Sequence, residues 1–190
     1  MRKRLAVAIA LAAAFATPIH AQTQRFINGD LGWNPNVLEQ MISFGWSGER
    51  VGFQPSMIDA PLEVINIRMV TLKGITPLVI VWNVQQLALV PDGAWIEVGN
   101  EPNINTDTPA MSPSAYAALA TPVIREANRR KMPVFVGSIS NMGKKHVLWL
   151  SRVITQLPTD LNYGISVHLY PHGERLLSKP DGYSSLDAAI

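Results

Sequence analysis

Three stretches of this chain, residues 77–82, 94–99 and 132–139, lack the polar alternation of a strand with one wet face. Strands that are apolar on consecutive positions are covered on both faces. The usual way to cover both is a parallel sheet whose crossovers are helices. The intervals between these runs carry helix signals. Asn34-Pro35 is a cap followed by a first-turn proline, with Val37, Leu38, Met41 and Ile42 at helical spacing. Asp59 can cap a helix with Leu62, Ile65, Met69 and Leu72 on one face, stopped at Gly74. Ser112-Pro113 opens another, which Pro122 should kink or split. Val147, Leu150, Ile154 and Leu157 define the buried face of a further helix ending before Pro158. Weaker strand runs lie at 26–31, 49–54 and 163–170. The alternation predicts an α/β fold, either a barrel or a doubly wound sheet. No glycine-rich phosphate loop follows any strand, which lowers the second option and gives no reason to expect a cofactor.

Composition narrows the classes further. The chain is 47% hydrophobic and 16% charged, enough apolar material for one core. Three of the cationic residues are Arg2, Lys3 and Arg4, and without them the net charge of +2 becomes −1, near neutral. Nothing therefore points to nucleic acid. Those three residues precede an apolar run at 5–16 and a small residue, Ala21, before Gln22. This is the pattern of a secretory signal peptide over 1–21, too short to span a bilayer, leaving 22–190 as the mature domain, secreted or periplasmic. With no cysteine there is no disulfide, thiol nucleophile, thiolate metal site or lipoprotein anchor, so no membrane anchor is expected.

The strongest chemical signal is the segment Trp95-Ile96-Glu97-Val98-Gly99-Asn100-Glu101-Pro102-Asn103. An apolar strand ends abruptly in an amide and a carboxylic acid, with a proline to stop the ladder. Such a place suits a general acid that protonates a leaving oxygen. The segment resembles the fourth-strand motif of the clan A glycoside hydrolases, which are (β/α)8-barrel enzymes. The resemblance implies that Glu101 is the acid/base of a retaining mechanism and that Asn100 hydrogen-bonds the sugar hydroxyl next to the anomeric carbon. In Ser166-Val167-His168-Leu169-Tyr170, His168 and Tyr170 share one strand face. The pair resembles the clan's sixth-strand His-x-Tyr, which implies that both line the sugar site. The place of Arg50 in its strand resembles that of the clan's arginine, which implies a role in keeping the nucleophile ionised; its other readings are a buried pair with Glu97 or an exposed strand residue. Trp82 and Trp33 follow strand runs and are candidates for stacking on a sugar ring, whereas Trp46, Trp95 and Trp149 read as core.

Glu97 shares inward parity with Glu101 and should be a buried, partnered carboxylate. Four strand residues span about 13 Å, too far for the retaining pair, which wants about 5 Å. The clan takes its nucleophilic Glu from strand seven. Here only Glu174, Asp181 and Asp187 come later, and none ends an apolar strand run. A (β/α)8 barrel needs about 250 residues. The expected fold is thus a TIM-barrel type that is incomplete, with about six strand–helix units, a fragment whose activity as given is in doubt. The expected partner is a carbohydrate substrate. The alternatives are a non-catalytic carbohydrate-binding barrel and a metal-dependent barrel hydrolase using His168, His172 and Glu101; no metal site is expected on the first two readings.

Overall fold

The computed structural model describes residues 26–28, 39–40, 42–43, 47–55, 61–105, 108–140 and 142–168. The expected signal peptide, Trp33, Trp46, the cap at Asp59, Tyr170, His172, Glu174, Asp181 and Asp187 lie outside them. Within the described residues ten elements are bounded: β1 (Phe26–Asn28), β2 (Gly48–Gly52), α1 (Pro61–Leu72), β3 (Thr76–Val81), α2 (Val84–Leu89), β4 (Trp95–Val98), α3 (Pro113–Arg129), β5 (Val134–Ile139), α4 (Lys144–Ile154) and β6 (Gly164–Val167). The strands form one six-stranded sheet, parallel throughout, in the order β1-β2-β3-β4-β5-β6. A doubly wound sheet reverses its strand order at a switch point. No reversal occurs among the described strands, an order consistent with a partial TIM-barrel-like fold. None of the helices described is long and apolar enough to cross a membrane.

The two faces of the sheet have different jobs. Val79, Ile96 and Val134 are register partners on the helix side. They are fully or almost fully buried, with Ile67, Leu87, Tyr116 and Ile124 from the helices packed into the same core. On the opposite face one register row runs Gly52, Ile80, Glu97, Phe135, Gly164. Glycine at both flanks of this row is a matter of space. A Cβ on Gly52 would stand 2.6 Å from Cβ of Ile80, and one on Gly164 would stand 2.6 Å from the Phe135 ring. The large side chains lean over the glycines, and Glu97 is left in the middle of the row.

The helices depart from their sequence signals in three ways. In α1 the stripe Leu62, Ile65, Met69 and Leu72 is turned outward, with Leu72 81% exposed, whereas Ile67 and Val70 are buried. In α4 the inward residues are His146, Leu150 and Val153, and Val147 and Ile154 face out. α3 runs unbroken through Pro122. Its start is as expected: Ser112 Oγ accepts from the Ala115 N–H at 3.1 Å, with a proline in the first turn. The short α2 had no apolar periodicity to announce it. Asn83 caps it by accepting from the Gln86 N–H at 2.8 Å.

Between β4 and β5 the ladder is short, with two register pairs, Ile96 with Val134 and Glu97 with Phe135. Tyr116 of α3 fills the gap beyond. Its hydroxyl donates to the Val98 carbonyl at 2.7 Å and accepts from the Gly137 N–H at 2.9 Å. Burial raises the pKa of this phenol, with Glu97 acting the same way against a lowering by Gly137, so the group stays a donor. One hydroxyl thereby satisfies two buried backbone groups, each of which would otherwise cost about 1–3 kcal/mol.

Candidate active site

β4 stops at Val98 because two of the next three residues, Gly99 and Glu101, take backbone shapes a ladder cannot continue. Gly99 has φ +71°, and a Cβ there would lie 3.2 Å from the Trp82 ring. Glu101 has φ +47°, a left-handed conformation that is strained for a residue with a Cβ. Its N–H donates to the Ser138 carbonyl at 3.1 Å, and Ser138 is itself left-handed at φ +42°. Backbone strain of this kind costs about 1–3 kcal/mol per residue and persists where the surroundings over-determine it. Here both strained residues meet across one hydrogen bond at the ends of neighbouring strands.

Glu97 is the hub beneath them. Oε1 accepts from Ser138 Oγ at 2.9 Å and from Ser166 Oγ at 2.6 Å, and lies 3.1 Å from His168 Nε2. Oε2 accepts from Arg50 Nε. Burial alone would raise the pKa of this carboxyl. The His168 hydrogen bond, the Arg50 and His168 charges and the Ser166 hydroxyl outweigh burial and hold it at about 2. Arg50 reaches further, donating from its second nitrogen to Asn100 Oδ1 at 2.9 Å and standing 3.2 Å from His168 Nε2. His168 follows β6, its N–H donating to the Ile139 carbonyl at 2.8 Å. Its Nδ1 lies 3.1 Å from Glu101 Oε1. The imidazole thus bridges the two carboxylates, and the nitrogen that carries the proton decides which one receives it.

This placement revises one expectation. The 13 Å figure measures along an extended strand, but Glu101 has left the strand. Both carboxylates touch the same ring, so their oxygens lie within roughly 8.5 Å, an imidazole's width and two hydrogen bonds. Glu97 still makes a poor second catalytic acid. It is 1% exposed, and both of its oxygens are occupied.

The structure brings Arg50, from the middle of β2, together with Asn100, Glu101 and His168, which follow β4 and β6. It does not bring Trp82 with them as an open stacking surface. That indole is 4% exposed, donates Nε1–H to the Phe53 carbonyl at 3.0 Å and backs Gly99. Its own N–H is held by Gln86 Oε1 at 2.7 Å, and Gln86 Nε2 donates to the Gln54 carbonyl at 2.9 Å. Trp82 is a support beneath the Asn-Glu turn, a correction to its reading as a sugar platform. Trp33 and Tyr170 fall outside the described residues. Trp95 and Trp149 are half-buried.

Ser138 lies inside an apolar run, so no local pattern marks it as a site residue. The register between β5 and β6 shifts between Gly137 and Ile139, and that irregularity accompanies the reach of Ser138 Oγ to Glu97. The available signal was Gly137, a glycine within a strand, which often marks a bulge. Among the described residues no group of three or more His, Asp or Glu side chains could hold a metal ion.

No protein-family model matches the chain, and no curated protein matches it in sequence. Its fold is similar to that of a solved family 51 α-L-arabinofuranosidase, AbfB, from Bifidobacterium longum, at a TM-score of 0.58 and 15% sequence identity. The match covers 84% of this chain and 46% of that one, so the chain spans about half the length of the solved protein it matches.

Proposed function

We propose that this chain carries the acid/base half of a retaining O-glycoside hydrolase built on a TIM barrel, acting on a poly- or oligosaccharide. The observation that carries the reading is the position of Glu101: 6% exposed, left-handed, at the end of β4, beside Asn100 and 3.1 Å from His168. In this reading Glu101 protonates the glycosidic oxygen as the bond breaks and later takes a proton from the attacking water. Arg50 fixes the plane of the Asn100 amide through Oδ1, and that amide donates to the hydroxyl beside the anomeric carbon. Glu97 stays an anion throughout and orients Arg50 and His168. A retaining mechanism also needs a nucleophilic carboxylate about 5 Å from the acid/base, and Glu97, with both oxygens occupied, is not suited to that role. The similarity to an arabinofuranosidase supports this reaction class and makes furanosides the first substrates to try. A signal peptide over 1–21 would put the enzyme outside the cytoplasm.

The reading is tested with the protein expressed from its full reading frame, offered a panel of aryl and oligosaccharide glycosides. The anomer released first is followed by proton NMR before it mutarotates. Retention of configuration is expected. Inversion, or sugar binding with no turnover, would reject the retaining mechanism, and the second outcome would favour a binding protein.

A further inference from the structure

We infer that His146 is a positioning residue for the acid/base carboxylate: through Asn103 it pins the turn after β4 to the end of β5 and so sets where Glu101 points. The inference rests on Glu101 having the role proposed above. His146 lies in the first turn of α4, on the inward face that continues with Leu150 and Val153, and is 6% exposed. A polar ring on an apolar face needs a partner. It has one in Asn103, whose Nδ2 meets His146 Nδ1. The Asn103 Oδ1 in turn faces the Ser140 N–H at 3.4 Å, just past β5. Asn103 stands two residues after Glu101.

The same helix grips the far end of this loop. Trp149, one helical turn from His146, donates Nε1–H to the Met111 carbonyl at 2.8 Å. The Met111 N–H donates to the Pro102 carbonyl at 2.7 Å, closing the loop on itself. The backbone at Glu101 is strained, so its shape has to be imposed from outside, and these contacts are the ones that reach it from α4. The imidazole is suited to accept at Nδ1. Burial, then Lys145, push its pKa down, and the helix N-terminus acts in the same sense, keeping the ring neutral.

The test uses the full-length protein with His146→Leu, His146→Asn and Asn103→Ala, each checked for folding by its thermal melt. In the His146→Asn variant the introduced amide oxygen would sit where Nδ1 sat and can accept from Asn103. In the bond-breaking step, which kcat/KM reports, a displaced acid slows only bonds that need protonation. His146→Leu is therefore expected to lower kcat on glycosides with poor leaving groups about 10-fold or more, with KM unchanged, while kcat/KM on activated aryl glycosides stays within about 2-fold. Asn103→Ala should show the same split, and His146→Asn should recover most of the loss. Equal loss on both substrate classes, or a His146→Asn variant as poor as His146→Leu, would overturn the inference; should His146→Leu not fold, the Asn103→Ala split decides it. Glu101→Gln is run in the same assay. A leaving-group split there with none in His146→Leu or Asn103→Ala overturns the positioning role alone, whereas no split in Glu101→Gln removes the acid/base reading and this inference with it.

Discussion

Glu101→Gln is expected to lower turnover of alkyl and oligosaccharide glycosides by about 10²–10⁴-fold, the range for loss of a positioned general acid. Glutamine keeps the size of the side chain and an oxygen that can face His168 Nδ1, but it carries no transferable proton. Glycosides whose leaving group departs as a stable anion do not need that proton. For activated aryl glycosides kcat/KM should therefore change little. Their second step still needs a base to activate water, so the glycosyl-enzyme should accumulate. One equivalent of phenol should appear in a burst, followed by a slow steady rate with a lowered KM. Equal loss of kcat/KM on both substrate classes would show that position 101 acts by shape or binding and not by proton transfer.

The second large effect is on stability. Glu97 is paired with Arg50 where the two side chains are 1% and 15% exposed. Removing one member of a buried pair strands the other charge and costs about 3–5 kcal/mol. Glu97→Gln retains an acceptor for Ser138 and Ser166, so its cost should fall near the lower end, about 3 kcal/mol, and Glu97→Ala near the upper. The pH dependence has a definite sign. The Glu97 carboxyl is depressed from 4.5 to about 2, so its contribution is complete above about pH 4.5 and is lost as pH falls through about 2. The stability gap between wild type and Glu97→Gln should be constant near neutrality and close progressively below pH 4.5. Urea titrations at pH 7, 4.5 and 3 measure it. Glu49 is also buried, with neither oxygen hydrogen-bonded, and burial pushes its carboxyl up. Its contribution has the opposite sign and cancels in the difference, because both proteins keep it. A gap that does not change with pH would mean that the charge of Glu97 does not stabilise the fold.

The parallel sheet was legible because burial on both faces leaves a local trace. The runs at 77–82, 94–99 and 132–139 overlap β3, β4 and β5, with ends off by a residue or two. Strand order is not local, and its running without reversal among the described strands comes only from the observed pairing. The face of α1 was ambiguous for a physical reason. Val64, Ile67 and Val70 form a second apolar stripe beside Leu62, Ile65, Met69 and Leu72, and periodicity alone cannot rank two stripes on one helix. α2, six residues long, is too short to show a period. Within the site, the stop at Pro102 and the end of the 163–170 run mark Asn100, Glu101 and His168 as strand-end residues, but parity counted along an extended strand does not give the left-handed turn that carries Glu101 out of the ladder. Residues whose position depends on tertiary packing could not be placed from sequence. Trp82 is drawn under Gly99 by Gln86 and Phe53, Ser138 reaches Glu97 beside an irregular register, and Asn103 meets His146 only because α4 folds back over the loop.

The claim on which the rest depends is that the carboxyl at position 101 serves the departing and arriving oxygens on one face of a sugar while a different group attacks the other face. Azide added to Glu101→Gly tests it directly, because a small anion can occupy the space of the missing side chain. With an activated aryl glycoside, azide should restore turnover and yield a glycosyl azide of the same anomeric configuration as the substrate. A glycosyl azide of inverted configuration would make Glu101 the nucleophile, and a variant as active as wild type without azide would remove it from the chemistry altogether.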